Sequence, residues 1–245
     1  MKDFGPETFG ERADGYDDWY GTRLADRSTA DTVRLLAELA AGGSALELAI
    51  GTGRVALPLA AAGLEVQGIE ASERMVAKLR EKPGGDRIPV TIGDFADVGV
   101  DDTFDLIFVV FNTLFNLVSQ EDQIRCFSNV ARHLTTKGVF VVEAFVPEGG
   151  ESQTNRTVRT AHVEKESAVL ELSVSDPVEQ LIEYQYIEFA ADGIRMHPLV
   201  MRYAWPSELD LMARLAGLEL RHRWAGWDRS PFTASSTAHV SVYAR

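Results

Sequence analysis

The run Glu47-Leu48-Ala49-Ile50-Gly51-Thr52-Gly53-Arg54 joins a short apolar stretch to a helical one. Glycines at such a junction let a ligand approach the backbone closely, and the helix that follows turns unpaired N–H groups toward it. Glu70 lies nineteen residues past Gly51, at the end of the next apolar stretch. A carboxylate at that point can accept both hydroxyls of a ribose. The chemistry indicated is nucleoside binding, and two kinds of cofactor satisfy it. Gly51, Gly53 and Ala56 fit a loose G-x-G-x-x-A dinucleotide fingerprint, to which the Glu70 spacing is also suited. Glu47 favours the alternative. A carboxylate inside an apolar strand end is costly without a partner. A pyrophosphate offers none, whereas the ammonium group of an amino-acid-bearing nucleoside such as S-adenosylmethionine (SAM) does.

The elements that must carry these residues alternate between strand and helix. Val33, Leu36, Ala37 and Ala40 follow the helical period, with Ser28 and Asp31 as a capping-box-like start and Gly42-Gly43 as a stop. A strand over 45–49 leads into the glycine turn. A helix over 55–62 follows, which Pro58 should bend if the helix begins near Gly53. Then come a strand over 64–70, a helix capped by Ser72 with Met75, Val76 and Leu79 on one face, and a short strand over 89–92. Strands over 104–111 and 138–145 are uniformly apolar, as expected where both sheet faces are covered. Between them Ser119 opens a helix whose inner face is Ile124, Phe127, Ala131 and Leu134. This alternation predicts a parallel sheet with helices on both faces. After Pro147 four strands are expected, over 157–163, 168–175, 181–190 and 194–203. In the second, Ala168, Leu170, Leu172 and Val174 share one face, and Glu171, Ser173 and Ser175 the other, the pattern of an antiparallel sheet with one wet face. A helix from Pro206 through Ala216 and strands over 218–224 and 238–243 complete the parent sheet.

The chain has 245 residues, with 24 Lys and Arg against 37 Asp and Glu, a net charge of −13 and a pI near 4.8. No basic run relieves that charge, which disfavours nucleic acid and anionic membrane surfaces. The longest apolar run, 106–111, is too short for a membrane span. The charged N-terminus has no apolar core of a signal peptide, so a cytoplasmic location is expected. The single cysteine, Cys126, reads as a small core residue. No His/Cys/Asp/Glu cluster has metal-ligand spacing, so no metal is expected.

ELAIGTGR resembles the first motif of the class I SAM-dependent methyltransferases, with Ala49 where many members carry a glycine. Glu70 in VQGIEASERM matches the family's ribose-binding acid. Asp94 in TIGDFADV matches the acid that meets the adenine amino group, with Phe95 beside the ring. FDLIFVVFNTLF and RHLTTKGVFVVEAF match the segments of the fourth and fifth strands, so the resemblance covers about 28–145. YDDWYGTR and the inserted sheet are similar to nucleotide-sugar amine N-methyltransferases, and LMARLAGLEL…PFTASS to cypemycin-type N-terminal methyltransferases. The resemblance implies an α/β, doubly wound, Rossmann-like seven-stranded sheet with a small antiparallel β lid inserted after strand five. Residues 1–150 and 204–245 would form the SAM-binding domain, and 151–203 the substrate cover.

The same resemblance implies Tyr20, Arg23, Ala49, Gly51, Gly53, Glu70, Ala71, Met75, Asp94, Phe95, Phe111 and Asn116 as cofactor contacts, Tyr20 and Arg23 reaching the carboxylate. Phe115 and Asn116 stand where the family places residues near the transferring methyl. Glu143, at the end of the fifth strand, could steer a cationic amine; Tyr184 (with Tyr186), Trp205 and Trp227 could line an aromatic pocket. His197, on the Arg195–Leu199–Met201 face of the inserted sheet, is the preferred general base over His162. The expected reaction is in-line methyl transfer to a nitrogen, or an oxygen, of a small molecule. A peptide terminus as acceptor, a SAM-binding protein without turnover and a nicotinamide-dependent reductase are the alternatives. An edge-rich inserted sheet often pairs with another, so a homodimer is also expected.

Overall fold

The computed structural model describes residues 10, 13–18, 29–147 and 156–245. Tyr20, Arg23 and the Ser28 cap lie outside the described residues. The described core is a seven-stranded sheet flanked by helices, followed in the chain by a second sheet of four strands.

Helix α1 (Thr29–Ala40) precedes strand β1 (Ser44–Leu48), α2 (Ala56–Ala61), β2 (Glu65–Glu70), α3 (Glu73–Glu81), β3 (Val90–Ile92) and β4 (Phe104–Val109). A 3₁₀ turn (Thr113–Asn116), α4 (Gln120–His133) and β5 (Leu134–Phe145) follow. Strands β6 (Arg156–Val163), β7 (Ser167–Asp176), β8 (Leu181–Ala190) and β9 (Gly193–Arg202) make the second sheet. Helix α5 (Pro206–Leu215), β10 (Glu219–Trp224) and β11 (Ala238–Ala244) return to the first.

The large sheet has the order β10-β11-β5-β4-β1-β2-β3. β1 pairs in parallel with β2 and β4, and only β11 runs against its neighbours. Chain order reverses beside β1, so the ends of β1 and β4 open a crevice at the point where open α/β sheets bind ligands. One face packs Leu35, Leu36, Val55, Leu59 and Leu79 from α1–α3. The other packs Cys126, Phe127 and Val130 from α4 against Leu209 and Met212 from α5. Phe127 meets Phe140 and Tyr243 edge-to-face, with centroids 5.2 and 5.7 Å apart.

Ser72 and Ser119 cap α3 and α4 by accepting the amides of Met75 and Asp122, as their positions predicted. Helix α2 starts three residues later than Gly53, at Ala56. Pro58 therefore falls in its first turn, where its missing N–H has no intrahelical partner to lose, and the expected bend has no cause. In α4 the buried side is Cys126, Phe127, Val130 and Ala131 together with Gln123 and Asn129, so Ile124 is displaced from the centre of the inner face. Gln123 is buried because it bridges the Leu117 and Arg202 carbonyls at 3.1 and 2.8 Å, a role no periodicity could reveal.

The four-stranded sheet inverts the expectation about which face is wet. Val169 on β7 is fully buried, and it shares its side with Glu171 and Ser173. Pairing extends that side to Tyr184, Tyr186 and Glu188 on β8 and to Arg195, His197 and Leu199 on β9. Met201, next on that side, packs on the main core. The polar and aromatic side is thus turned to the body, and the side of Leu170, Leu172 and Val174 faces outward. The apolar residues alternate as expected; tertiary docking, which alternation does not encode, selects the covered face.

Candidate active site

Four chain segments end around one cavity at the carboxyl edge of the large sheet. Ala49 and Gly51 come from the turn after β1, Glu70 and Ala71 from the end of β2, Met75 from α3, and Asp94 and Phe95 from the loop after β3. Thr113, Asn116, Leu117 and Val118 close it from beyond β4, Asp122 from α4, and Tyr16 from a single helical turn at Tyr16–Asp18 that precedes α1. The volume is about 240 Å³.

Glu70 is held by backbone amides. Its Oε2 accepts from Gly51 N and its Oε1 from Ser72 N, each at 2.9 Å. Burial raises its carboxyl above the ordinary value, against the lowering effect of the Ser72, Gly51 and Ala71 amides. Two carboxylate oxygens have about four acceptor directions between them, so the amides leave acceptor capacity for ligand hydroxyl donors. On the adjoining wall one Asp94 oxygen accepts the Ala96 amide at 2.8 Å, which fixes the carboxylate. Asn116 carries a buried Oδ1 with no hydrogen-bond partner. A cavity with an oriented acid near a glycine turn, a second acid and an orphaned acceptor fits a nucleoside bearing a polar tail.

The glycines divide the work. Gly51 has φ +56° and lines the cavity, and a Cβ there would meet only Met75 Cε, at 3.6 Å. Its left-handed backbone and its amide to Glu70 are what the site uses. Gly53 does not line the cavity. A Cβ on it would come within 2.3 Å of Leu79 Cδ1, so it serves helix packing. Ala49 adopts φ +56°, a conformation that costs a non-glycine residue about 1–2 kcal/mol. That backbone accounts for glycine being common at this position of the motif.

Glu47 lies beneath the turn and does not line the cavity. The Ala56 amide donates to it and Arg54 is its nearest cationic influence, so the partner expected from a ligand is supplied partly by the start of α2. Burial, the dominant cause, lifts its carboxyl well above the usual carboxylate range. Phe111 also stays outside the cavity lining; its ring carries the Arg54 guanidinium 3.6 Å from its centroid. Its amide donates to Glu143 Oε2 at 2.9 Å, which ties buried Glu143 to the end of β4. Phe115 is fully buried, edge-to-face with Phe145 at 5.0 Å, and stands one residue from the cavity wall.

The remaining candidates fall elsewhere. Tyr184 and Tyr186 stack with centroids 6.0 Å apart on the body-facing side of the four-stranded sheet. Across from them His197 Nε2 is 3.3 Å from Glu188 Oε2, whose carboxylate is buried and also faces Arg195 at 3.4 Å. Trp205 is half exposed ahead of α5, and Trp227 is buried on the α1 side with its Nε1 unpartnered. His162 Nε2 lies 3.1 Å from Glu164 Oε1 without hydrogen-bond geometry. Cys126 is buried, which pushes its thiol far up and leaves it inert. Among the described residues no His, Cys, Asp and Glu group could hold a metal ion, and no helix is long and apolar enough to cross a membrane.

The sequence did not single out Thr113, Leu117, Val118, Asp122 or Tyr16 as wall residues; of these, Tyr16 reaches the cavity from a segment that precedes both sheets in the chain. It rides on a strap latched to α3: Asp14 reaches Lys78 at 2.9 Å and Arg74 at 3.4 Å, and Asp17 reaches Lys82 at 2.6 Å. The spacing of Lys78 and Lys82, one helical turn apart, is the only sequence trace of this contact.

Comparison with known proteins adds to this geometry. Residues 45–138 match the model of a methyltransferase domain family. The CcbJ methyltransferase from Streptomyces caelestis is 41% identical and superposes with a TM-score of 0.92, over 98% of this chain and 99% of that one. The cypemycin N-terminal methyltransferase of a Streptomyces species is 29% identical over 209 residues, 83% of this chain and 84% of the relative. SAM-bound CalS10, an amino pentose methyltransferase from Micromonospora echinaspora, shares the fold at 22% identity and a TM-score of 0.68, over 93% and 95% of the two chains.

Proposed function

Because this chain belongs to the S-adenosylmethionine-dependent methyltransferases, we propose that it moves a methyl group to a nitrogen of a small-molecule amine. The observation that carries the choice of nitrogen is the buried, unpartnered Asn116 Oδ1 on the cavity wall beyond β4. An amine can donate an N–H to that oxygen while its lone pair points elsewhere. A phenolate or alkoxide, the reactive form of an oxygen acceptor, has no hydrogen to give. The names of relatives agree: one acts at a cypemycin N-terminus and another on an amino pentose.

When bound, SAM supplies a methyl already activated by its sulfonium, so the chain's work is alignment and exclusion of water. In this reading Glu70 accepts the ribose hydroxyls, and Asp94 meets the base with Phe95 beside it. The left-handed turn at Ala49 and Gly51 lets the ligand lie against the backbone, with Ala71 and Met75 completing that wall, and Tyr16 covers the mouth. Asn116 holds the amine so that its lone pair faces the methyl carbon. The new C–N bond forms as the C–S bond breaks, and the methylated ammonium then gives up a proton. His197, oriented by Glu188 on the body-facing side of the inserted sheet, is the base we assign to take it. Residues 151–203 serve as the acceptor's cover, with the Tyr184–Tyr186 stack on its inner side.

The test uses matched acceptors: an aminosugar nucleotide, its hydroxyl analogue and a short peptide with a free α-amine, each with labelled SAM. Transfer to the aminosugar alone is expected. In the Asn116→Ala variant kcat should fall about 10- to 100-fold, the loss for an unsatisfied buried polar contact, with affinity for S-adenosylhomocysteine little changed. Transfer to the hydroxyl analogue in preference to both amines would overturn the nitrogen assignment, and transfer to the peptide alone would overturn the small-molecule one.

A further inference from the structure

Helix α4 carries a polar stripe: Arg125, Asn129 and His133 stand four residues apart and share one side of it. All three reach the loop that follows β3, the loop that brings Asp94 and Phe95 to the cavity wall. Arg125 Nε lies 2.8 Å from Asp97 Oδ1. Asn129 Nδ2 donates to the Ala96 carbonyl at 2.5 Å. His133 Nε2 lies 2.9 Å from the Val100 carbonyl, an oxygen to which it can only donate. Asn129 is the buried member of the three. Its amide has one orientation, because Arg132 donates to Oδ1 and leaves Nδ2 to the loop.

The loop is not in a conformation that its own residues favour. Val98, buried between the Ala96 and Val100 anchors, has φ +44°. That left-handed backbone is rare for a β-branched residue and persists only where the surroundings over-determine it. Helix α4 supplies those surroundings. Within the loop the Ala96 amide donates to Asp94 Oδ1 at 2.8 Å. Ala96 is therefore gripped twice, by Asn129 at its carbonyl and by the cavity-wall acid at its amide. Arg125 and His133 anchor the loop further along, at Asp97 and Val100. Asn129 alone of the three holds the residue bonded to Asp94, although it is not among the residues that line the cavity.

We propose that Asn129 is a positioning residue for cofactor selection: by holding Ala96 it aims the Asp94 carboxylate at the exocyclic amine of adenine, and so sets the preference for a 6-amino over a 6-oxo purine. The inference rests on the reading that Asp94 meets the base. A carboxylate only accepts, so an amine at C6 suits it and a carbonyl oxygen there opposes it. Hypoxanthine offers its hydrogen at N1 instead. A carboxylate free to swing could take that hydrogen, whereas one held in place cannot, and a fixed acceptor is what lets a site reject an analogue lacking the matching donor.

Calorimetric titration of the full chain with S-adenosylhomocysteine and S-inosylhomocysteine reads the ratio of the two affinities. The wild type is compared with Asn129→Ala, Asn129→Leu, Asp94→Ala and Leu36→Ala. Leucine fills the space that alanine would empty at 129, so the test does not hang on one variant's stability. Leu36 belongs to the core on the other face of the large sheet, and its truncation loosens the fold away from the loop. The wild type should favour the adenosyl ligand about 10- to 100-fold. In both Asn129 variants the ratio should fall to about threefold or less, chiefly through lost affinity for the adenosyl ligand, and Leu36→Ala should keep the wild-type ratio. A ratio lost in Asp94→Ala but retained in both Asn129 variants would overturn the positioning role and leave the reading of Asp94 standing. A wild type without preference, or a preference retained in Asp94→Ala, would overturn that reading and the proposal with it. Equal loss in Leu36→Ala would assign the effect to general loosening and overturn the proposal as well.

Discussion

Lys82 Nζ lies 2.6 Å from Asp17 Oδ2 and donates to the Thr52 carbonyl at 2.8 Å, so one cation joins the N-terminal strap to the turn that follows Gly51. Thr52 Oγ1 completes the junction by donating to Asp17 Oδ1. Asp14 holds the other side of the strap to Lys78 and Arg74, and Tyr16 lies between the two anchors on the cavity wall. Partly exposed ion pairs are individually weak and are screened by salt, so high salt is expected to release the strap before it disturbs the core. The dissociation rate of S-adenosylhomocysteine, followed by stopped-flow, should therefore rise two- to tenfold, a change of about 0.4–1.4 kcal/mol, between low and high salt. Lys82→Met should raise the low-salt rate and flatten its salt dependence. A rate independent of salt in the wild type would show that the strap does not govern release.

Glu70 gives a pH dependence with a definite sign. Its folded carboxyl is raised above the ordinary value by burial, and in the proposed cofactor pose ribose hydroxyls donate to its ionised form. Binding of S-adenosylhomocysteine should then strengthen as pH rises through the raised value and level off above it, with proton release on binding in that window. Folding has the opposite sign: the raised group opposes stability once ionised, so this contribution is worst above the folded value and vanishes below the unfolded one. Glu70→Gln should weaken binding about 10- to 100-fold at neutral pH and remove the pH slope. Calorimetric titration across the acid range checks both. Equal slopes in the two proteins would assign the titration to another group.

The glycine turn, the acid at the end of β2 and the acid after β3 were legible because each sits at a strand end, and strand ends follow from periodicity. Eight of the residues expected at the cofactor, Ala49, Gly51, Glu70, Ala71, Met75, Asp94, Phe95 and Asn116, do line one cavity. Gly53 and Phe111 do not, although they are near neighbours of the lining residues in the chain. A side chain's direction at a turn depends on φ, and neither the +79° of Gly53 nor the +57° of Phe111 can be read from residue type. Glu47 shows the same limit: its burial was foreseeable, but the Ala56 amide that answers it comes from the fold of the turn. The inserted sheet was legible strand by strand, yet its orientation was not. Alternation separates two faces and is silent about which one the rest of the molecule covers.

The root of that sheet depends on a buried ion pair. Arg202, the last residue of β9, donates to Glu208 of α5 at 2.8 Å, to Gln123 of α4 at 2.8 Å and to Gln180 at 3.1 Å. Gln180 and Gln120 donate to Glu208 in turn, at 2.7 and 2.8 Å. Burial works against the charge on Glu208, but these hydrogen bonds and the Arg202 guanidinium hold its carboxyl below the ordinary value. The two side chains are 7% and 17% exposed, so removing one leaves an unanswered charge in a largely dry site. Glu208→Ala should cost about 3–5 kcal/mol in urea unfolding. Arg202→Met with Glu208→Leu should recover only part of that loss, since an apolar pair removes the desolvation cost along with the attraction but leaves the Oε1 atoms of Gln123 and Gln180 without their donor. Because the network ties β9 to both α4 and α5, the single variant should also lose methyl transfer before it loses cofactor binding as urea is raised. Parallel loss of both activities would mean that the inserted sheet and the large sheet unfold as one unit.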